Sequence, residues 1–172
     1  FISMTVIEDH TWRYLRVSSD KIIENFNIEE LENDTAQGIR ITIRKTTDFL
    51  ECFIINNLDS IITIPRADGS IRYCASLIYK DSVWTELQRV NNSDKWCGNS
   101  FYFSELSPKN ALKFRLYPTT NGTMKTKLKV KIIINGDYYY SNEIDVHLSQ
   151  GQYEVAGNPI PGLYPNYDYY IL

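Results

Sequence analysis

The sequence predicts an all-β fold, an antiparallel β-sandwich with a short helical insertion near residues 20–32. Three observations carry the prediction. Thirteen tyrosines and seven phenylalanines stand among 172 residues, and aromatic and β-branched residues are those that fit a pleated, half-buried surface. Several segments alternate apolar with polar side chains at a period of two. Turn signals recur about every 8–12 residues, the spacing of a sandwich or barrel of about nine or ten strands. The length suits one domain that buries roughly 70% of the surface its unfolded chain would expose. The sandwich is placed over residues 1–150, and a tail rich in proline and tyrosine over 151–172.

Residues 3–7 and 11–17 read as short strands around a turn at Asp9-His10, anchored by Trp12, Tyr14 or Leu15. Over 18–33 the pattern changes. Ile22, Ile23, Phe26, Ile28 and Leu31 lie closer to helical than to alternating spacing, and Asn27 with Glu30 has the form of a capping box. A loop pinned by its isoleucines is the alternative. From Gly38 on, Ile39, Ile41 and Ile43 alternate with Arg40, Thr42 and Arg44, a half-buried strand. Residues 49–56 are apolar on both sides except at Glu51, as a central strand is. Residues 60–65 follow, closed by Pro65, which has no N–H for a ladder. Asp68-Gly69 signals a hairpin. Strands at 71–79 and 83–90 come next, joined at Lys80-Asp81-Ser82.

A polar loop over 91–95 leads to strands at 100–106 and 111–116. Leu128, Val130, Ile132 and Ile134 then alternate with Lys127, Lys129 and Lys131, the cleanest two-residue period in the chain. Asn135-Gly136 is the strongest hairpin turn, and residues 138–148 return as its partner strand. After Ser149 the prolines Pro159, Pro161 and Pro165 predict an extended tail. It carries Tyr153, Tyr164, Tyr167, Tyr169 and Tyr170, and either packs back or projects.

The net charge is −3, with both signs spread along the chain, so no nucleic-acid partner is implied. No apolar stretch reaches the roughly 20 residues that span a bilayer. The chain opens at Phe1 with neither Met nor a basic-then-apolar leader, as a mature fragment would. A removed signal peptide or lipid anchor remains open.

Catalytic chemistry needs a constellation, and none is spelled out. His10 and His147 carry no partner motif; no zinc helix, nucleophile elbow or phosphate loop is present. Carboxylates such as Glu8-Asp9, Glu29-Glu30 and Asp145 follow no calcium-loop pattern, and a glycosidase pair cannot be read across strands. The reading is no enzyme, no cofactor and no metal.

Cys74 lies in a strand, and Cys97 opens a Cys-Gly turn after Trp96. An intervening hairpin would let the two meet, and closing that loop would contribute about 3 kcal/mol in the chain-entropy model. One Cys74–Cys97 disulfide with Cys52 as a buried thiol is therefore expected; three reduced core thiols are the alternative. Lys125, Lys127, Lys129 and Lys131 form a one-sided row that could hold a polyanion, or simply a solvated face that discourages edge pairing. Trp84, Trp96 and Tyr102, with the tyrosines at 138–140, are candidate ligand-binding residues that would stack on a glycan. In a sandwich, aromatics also serve as core.

Taken in order, Tyr73-Cys74, Trp84, Cys97-Gly98-Asn99-Ser100-Phe101-Tyr102, Leu106-Ser107-Pro108 and Tyr140-Ser141-Asn142-Glu143 resemble a group of small exported proteins of Bacteroides-type bacteria. These proteins are often lipid-anchored. The resemblance covers residues 38–148. It implies an immunoglobulin-like β-sandwich and an extracytoplasmic home in the periplasm or at the cell surface, not a substrate. The glycine usual in that group's Pro-Gly turn is missing here, replaced by Lys109-Asn110. Asp34-Thr35-Ala36, Asp59-Ser60-Ile61 and Asp81-Ser82-Val83 match the Asp-Ser/Thr-apolar pattern that such bacteria glycosylate.

These readings together predict a non-enzymatic exported or cell-surface binding or accessory module. Its partner would be a protein or glycan, and any membrane contact would run only through a removed lipid anchor. The loops at 91–99 and 119–122, with the tyrosine tail, are the places to dock. An immunoglobulin-like proteinase inhibitor is the second hypothesis, and a glycan-acting enzyme the third.

Overall fold

The computed structural model describes residues 10–18, 21–27, 37–67, 70–90 and 101–160. The expected strand at 3–7, the loop at 91–99 with Trp96 and Cys97, the Asp34-Thr35-Ala36 pattern and the tail from 161 lie outside the described residues. The order is a 3-10 turn His10–Arg13, then β1 Arg16–Val17, β2 Lys21–Ile23, β3 Gly38–Lys45, β4 Leu50–Asn57 and β5 Ile62–Ala67. There follow β6 Ser70–Ile71, β7 Cys74–Lys80, β8 Val83–Arg89, β9 Phe101–Leu106, β10 Ala111–Tyr117, β11 Met124–Ile134, β12 Asp137–Tyr140, β13 Ile144–Leu148 and the helix α1 Gln150–Val155.

The fold is all-β and its ladders are antiparallel. One sheet runs β1-β10-β4-β3, with β2 also on β10; a second runs β12-β11-β7-β8, with β13 also on β11; a third is β6-β5-β9. The inward residues of all three meet in one apolar core. Ile41 and Ile43, Cys52 and Ile54, and Phe114 and Leu116 come from the first sheet; Cys74, Leu128, Val130 and Ile132 come from the second; Ile62, Ile64, Ile71 and Leu106 come from the third. Among the described residues, the two-residue hairpin loops Asp81-Ser82 (φ 49° and 68°) and Asn135-Gly136 (φ 53° and 85°) have consecutive positive φ. That is the turn whose twist matches its flanking strands.

Five expectations change. The helical insertion near residues 20–32 is not formed where the chain is described: Lys21–Ile23 is a strand pairing with Lys113, Leu112 and Ala111, and a turn follows it. Ile23 and Phe26 pack on Phe53, Ile55 and Ala111. Their near-helical spacing arises because a strand end and a turn point at one surface. Residues 28–32 are not described. The strand expected from 11 begins instead with a 3-10 turn, whose Arg13 is buried and donates to the carbonyls of Leu87 and Asn158.

β5 runs through Pro65 rather than ending there. The Pro65 carbonyl accepts from Arg72 N at 3.1 Å, so the missing donor also falls on that side, where β6 pairs only with Arg66 and Ala67. The expected return strand over 138–148 breaks into β12 and β13 at Ser141 to Glu143. Ser141 Oγ accepts from Val130 N at 2.8 Å, which mends the ladder at the break. Asn142 turns toward the other sheet, accepts from Ile43 N at 2.7 Å and donates to Ile43 O at 3.0 Å. Finally, the expected extended course after Ser149 opens with α1. Ser149 and Gln152 close a reciprocal capping box, and Gln152 also donates to Thr119 O. Ala156 and Tyr153 pack with Ile78, Leu87 and Leu148 in a second apolar cluster. Gly122, at φ 142°, passes so close to Leu148 that a Cβ would meet its carbonyl oxygen at 2.2 Å.

Candidate ligand-binding face

Among the described residues, the outward face of the β12-β11-β7-β8 sheet gathers three of the five exposed aromatic residues, the other two, Tyr102 and Phe103, being on β9. On β11 the buried Leu128, Val130 and Ile132 send Lys125, Lys127, Lys129 and Lys131 outward. The register sets Tyr140 opposite Lys131 on one side and Tyr79 opposite Trp84 on the other. Tyr79, Tyr138 and Tyr140 are all exposed, between 45% and 49%. For three tyrosines that is enough ring surface to meet a ligand.

The two halves of the lysine row have different partners. Lys125 Nζ lies 2.8 Å from Asp145, and Lys127 Nζ lies 2.8 Å from Glu143. The hydrogen bond that Lys127 donates to Glu143 raises the Lys127 pKa, and the one that Asp145 accepts from Lys125 lowers the Asp145 pKa. Further along, Lys129 Nζ sits 4.1 Å from the Trp84 ring centroid and 4.7 Å from that of Tyr140. Lys131 Nζ sits 5.4 Å from the Tyr138 ring. Tyr79 and Trp84 are themselves paired, with centroids 5.4 Å apart. Among the described residues neither Lys129 nor Lys131 has a carboxylate within ion-pair reach. Glu86, on the same face, is engaged on both oxygens by Arg89 at 2.6 and 2.7 Å. A ring attracts a cation through its quadrupole without neutralising it. This half of the face therefore combines exposed rings with two whole positive charges.

Of the sequence-derived site residues, Trp84 lies on this face and Trp96 is outside the described residues. Tyr102 is exposed, but on β9, in the third sheet, so the structure does not group it with Trp84. The Cys74–Cys97 disulfide is corrected: Cys74 is a free thiol, as is Cys52. Both are buried in the same core cluster, Cys74 from β7 and Cys52 from β4. Burial raises both thiol pKa values well above the ordinary range, which suits apolar packing and not reactivity.

His147 is exposed opposite Lys125. No group of three or more His, Cys, Asp or Glu among the described residues is placed to hold a metal ion. Ser60 and Ser82 of the two described Asp-Ser-apolar patterns sit in exposed turns. Lys129 and Lys131 were seen only as part of a row. Their distinction needs the cross-strand register, because the carboxylates that silence Lys125 and Lys127 come from the strand after the break at Ser141. No protein-family model matches this chain, and a search of curated proteins finds no match to it.

Proposed function

We propose that the protein is a non-enzymatic, exported binding module on an immunoglobulin-like sandwich, with its contact surface on the outward face of the β12-β11-β7-β8 sheet. The ligand class is a glycan. The observation that carries this reading is the set of rings, Trp84, Tyr79, Tyr138 and Tyr140, gathered on one sheet face with three of them about half exposed. A pyranose ring offers an apolar C–H face and a polar rim, which suits amphipathic aromatic side chains on a solvated surface. The extracytoplasmic placement rests on the resemblance and not on a disulfide.

An array of neutral and acidic glycans, read with the wild type and with Trp84→Ala and Tyr140→Ala, tests the reading. Binding to at least one glycan class that falls tenfold or more in both variants, with folding intact, supports it. An array on which the wild type binds nothing overturns it. So does binding that neither substitution alters. Protection of a substrate in a panel of proteases would favour the inhibitor hypothesis instead.

A further inference from the structure

We infer that the ligand of this face is an anionic glycan of the polyuronate type, in which each sugar carries a carboxylate, and that Lys129 and Lys131 are the residues that read that charge. The inference rests on the glycan-binding reading and narrows it. Four lysines project from one strand, yet only two remain available. Lys125 and Lys127 are held by Asp145 and Glu143, whereas Lys129 and Lys131 are braced against the rings of Trp84, Tyr140 and Tyr138. Their attachment points are about 7 Å apart along β11, two residues at the strand rise.

Bracing matters as well as charge. A free lysine side chain loses up to about 2 kcal/mol of rotamer entropy when it is ordered. A ring that already holds the ammonium in place removes part of that cost before a ligand arrives. The rings themselves stay exposed, so a sugar can lie against them while its carboxylate meets the ammonium. A neutral glycan would leave both charges without a counterpart and gain only the stacking.

The number of charges selects among anions. Two separated ammonium groups on a chain of net charge −3 match one carboxylate per sugar. A densely sulfated chain or a nucleic-acid backbone calls for a longer basic tract. A second cluster of cations over rings exists on the other sheet, with Arg115 4.7 Å from the Phe49 ring and Arg16 5.6 Å from that of Tyr117. Phe49 and Tyr117 are partly buried there, so that cluster offers little ring surface and serves as the internal control.

The test is affinity electrophoresis in native gels containing polygalacturonate, alginate, heparin or a neutral galactan. Five proteins are run: wild type, Trp84→Ala, Lys125→Gln, the double variant Lys129→Gln with Lys131→Gln, and the double variant Arg16→Gln with Arg115→Gln. The expected result is retardation of the wild type by a polyuronate at least tenfold stronger than by galactan. It should be lost in the Trp84 and Lys129/Lys131 variants, kept in the Lys125 and Arg16/Arg115 variants, and weakened by 0.5 M salt, a condition of the experiment at which the Debye length is only about 4–5 Å.

Equal retardation by galactan, or retardation unchanged in the Lys129/Lys131 variant, overturns the anionic inference while the glycan-binding face stands. Preference for heparin over both polyuronates overturns it in favour of sulfate. Retardation by none of the four gels overturns it too. The neutral spots of the glycan array then decide separately whether the face binds glycans at all.

Discussion

The outward faces of the two five-stranded sheets start from similar ingredients and end differently. On the sheet built on β4, outward aromatic and aliphatic residues are covered by the chain itself. Phe53 and Ile55 are 3% and 2% exposed under Ile23 and Phe26. The charged groups there are drawn together, with Glu51 bound by Arg44 and, at 2.5 Å, by Lys113. On the sheet built on β11, no described segment lies over the rings, and half of the lysines have no carboxylate. An outward aromatic is thus core or binding surface according to whether a later segment folds over it. An outward lysine is silent or available according to what the next strand places opposite it.

Exchanging the covered ring for the open one should separate the two faces most clearly. Phe53→Ala is expected to cost about 3–4 kcal/mol in urea unfolding, as large-to-small substitutions in a core do. Tyr140→Ala should cost under about 0.5 kcal/mol yet remove ligand binding. Equal costs would mean that the open face is also structural, and the comparison would fail.

The covered face was partly legible in the sequence. Residues 49–56 read as a central strand because both of their faces are apolar, and β4 lies between β10 and β3. What covers it was not legible. Ile22, Ile23 and Phe26 suggested a helix, since spacing alone does not distinguish a helical stripe from a strand and turn aimed at one patch. The lysine row of β11 was plain from its period. The sorting of that row was hidden, because Ser141 interrupts the return strand and brings Glu143 and Asp145 alongside. The capping box formed by Ser149 and Gln152 was missed, because the region after Ser149 was read from its prolines alone. Cys74 was paired with Cys97 on chain order, whereas its side chain points into the core beside that of Cys52.

A smaller effect should appear at the carboxylate of the covered face. The hydrogen bonds from Lys113 and then Arg44 hold the Glu51 carboxyl below its ordinary range. Its folded pKa is lower than its unfolded one, so the stability it contributes is present above the unfolded value and fades as pH falls through the folded value. Glu51→Gln should therefore cost about 1–2 kcal/mol near neutrality and nothing at strongly acid pH. Urea midpoints measured between pH 7 and pH 2 would converge for variant and wild type. Curves that stay parallel to acid pH would refute the assignment.

The smallest effect sharpens the open face. Glu143→Gln leaves Lys127 without its partner and lengthens the available positive row by one residue. Binding to polygalacturonate should tighten about two- to threefold, the scale of a single exposed charge, with the fold unchanged. Weaker binding would show that Glu143 itself belongs to the contact.

Asn142 has a consequence beyond joining two sheets. Among the described residues β3 is the last strand of its sheet, and an open strand edge offers unpaired donors and acceptors to any other chain. At Ile43 both of those groups are already taken by one side-chain amide, and Lys45 reaches across to Asp145 O a little further on. A foreign strand seeking to extend this sheet would have to evict a side chain that belongs to the same molecule. The bend at Ser141 therefore acts as a built-in guard against fibril growth and strand exchange, and a chain with alanine at position 142 would leave that edge open in every copy.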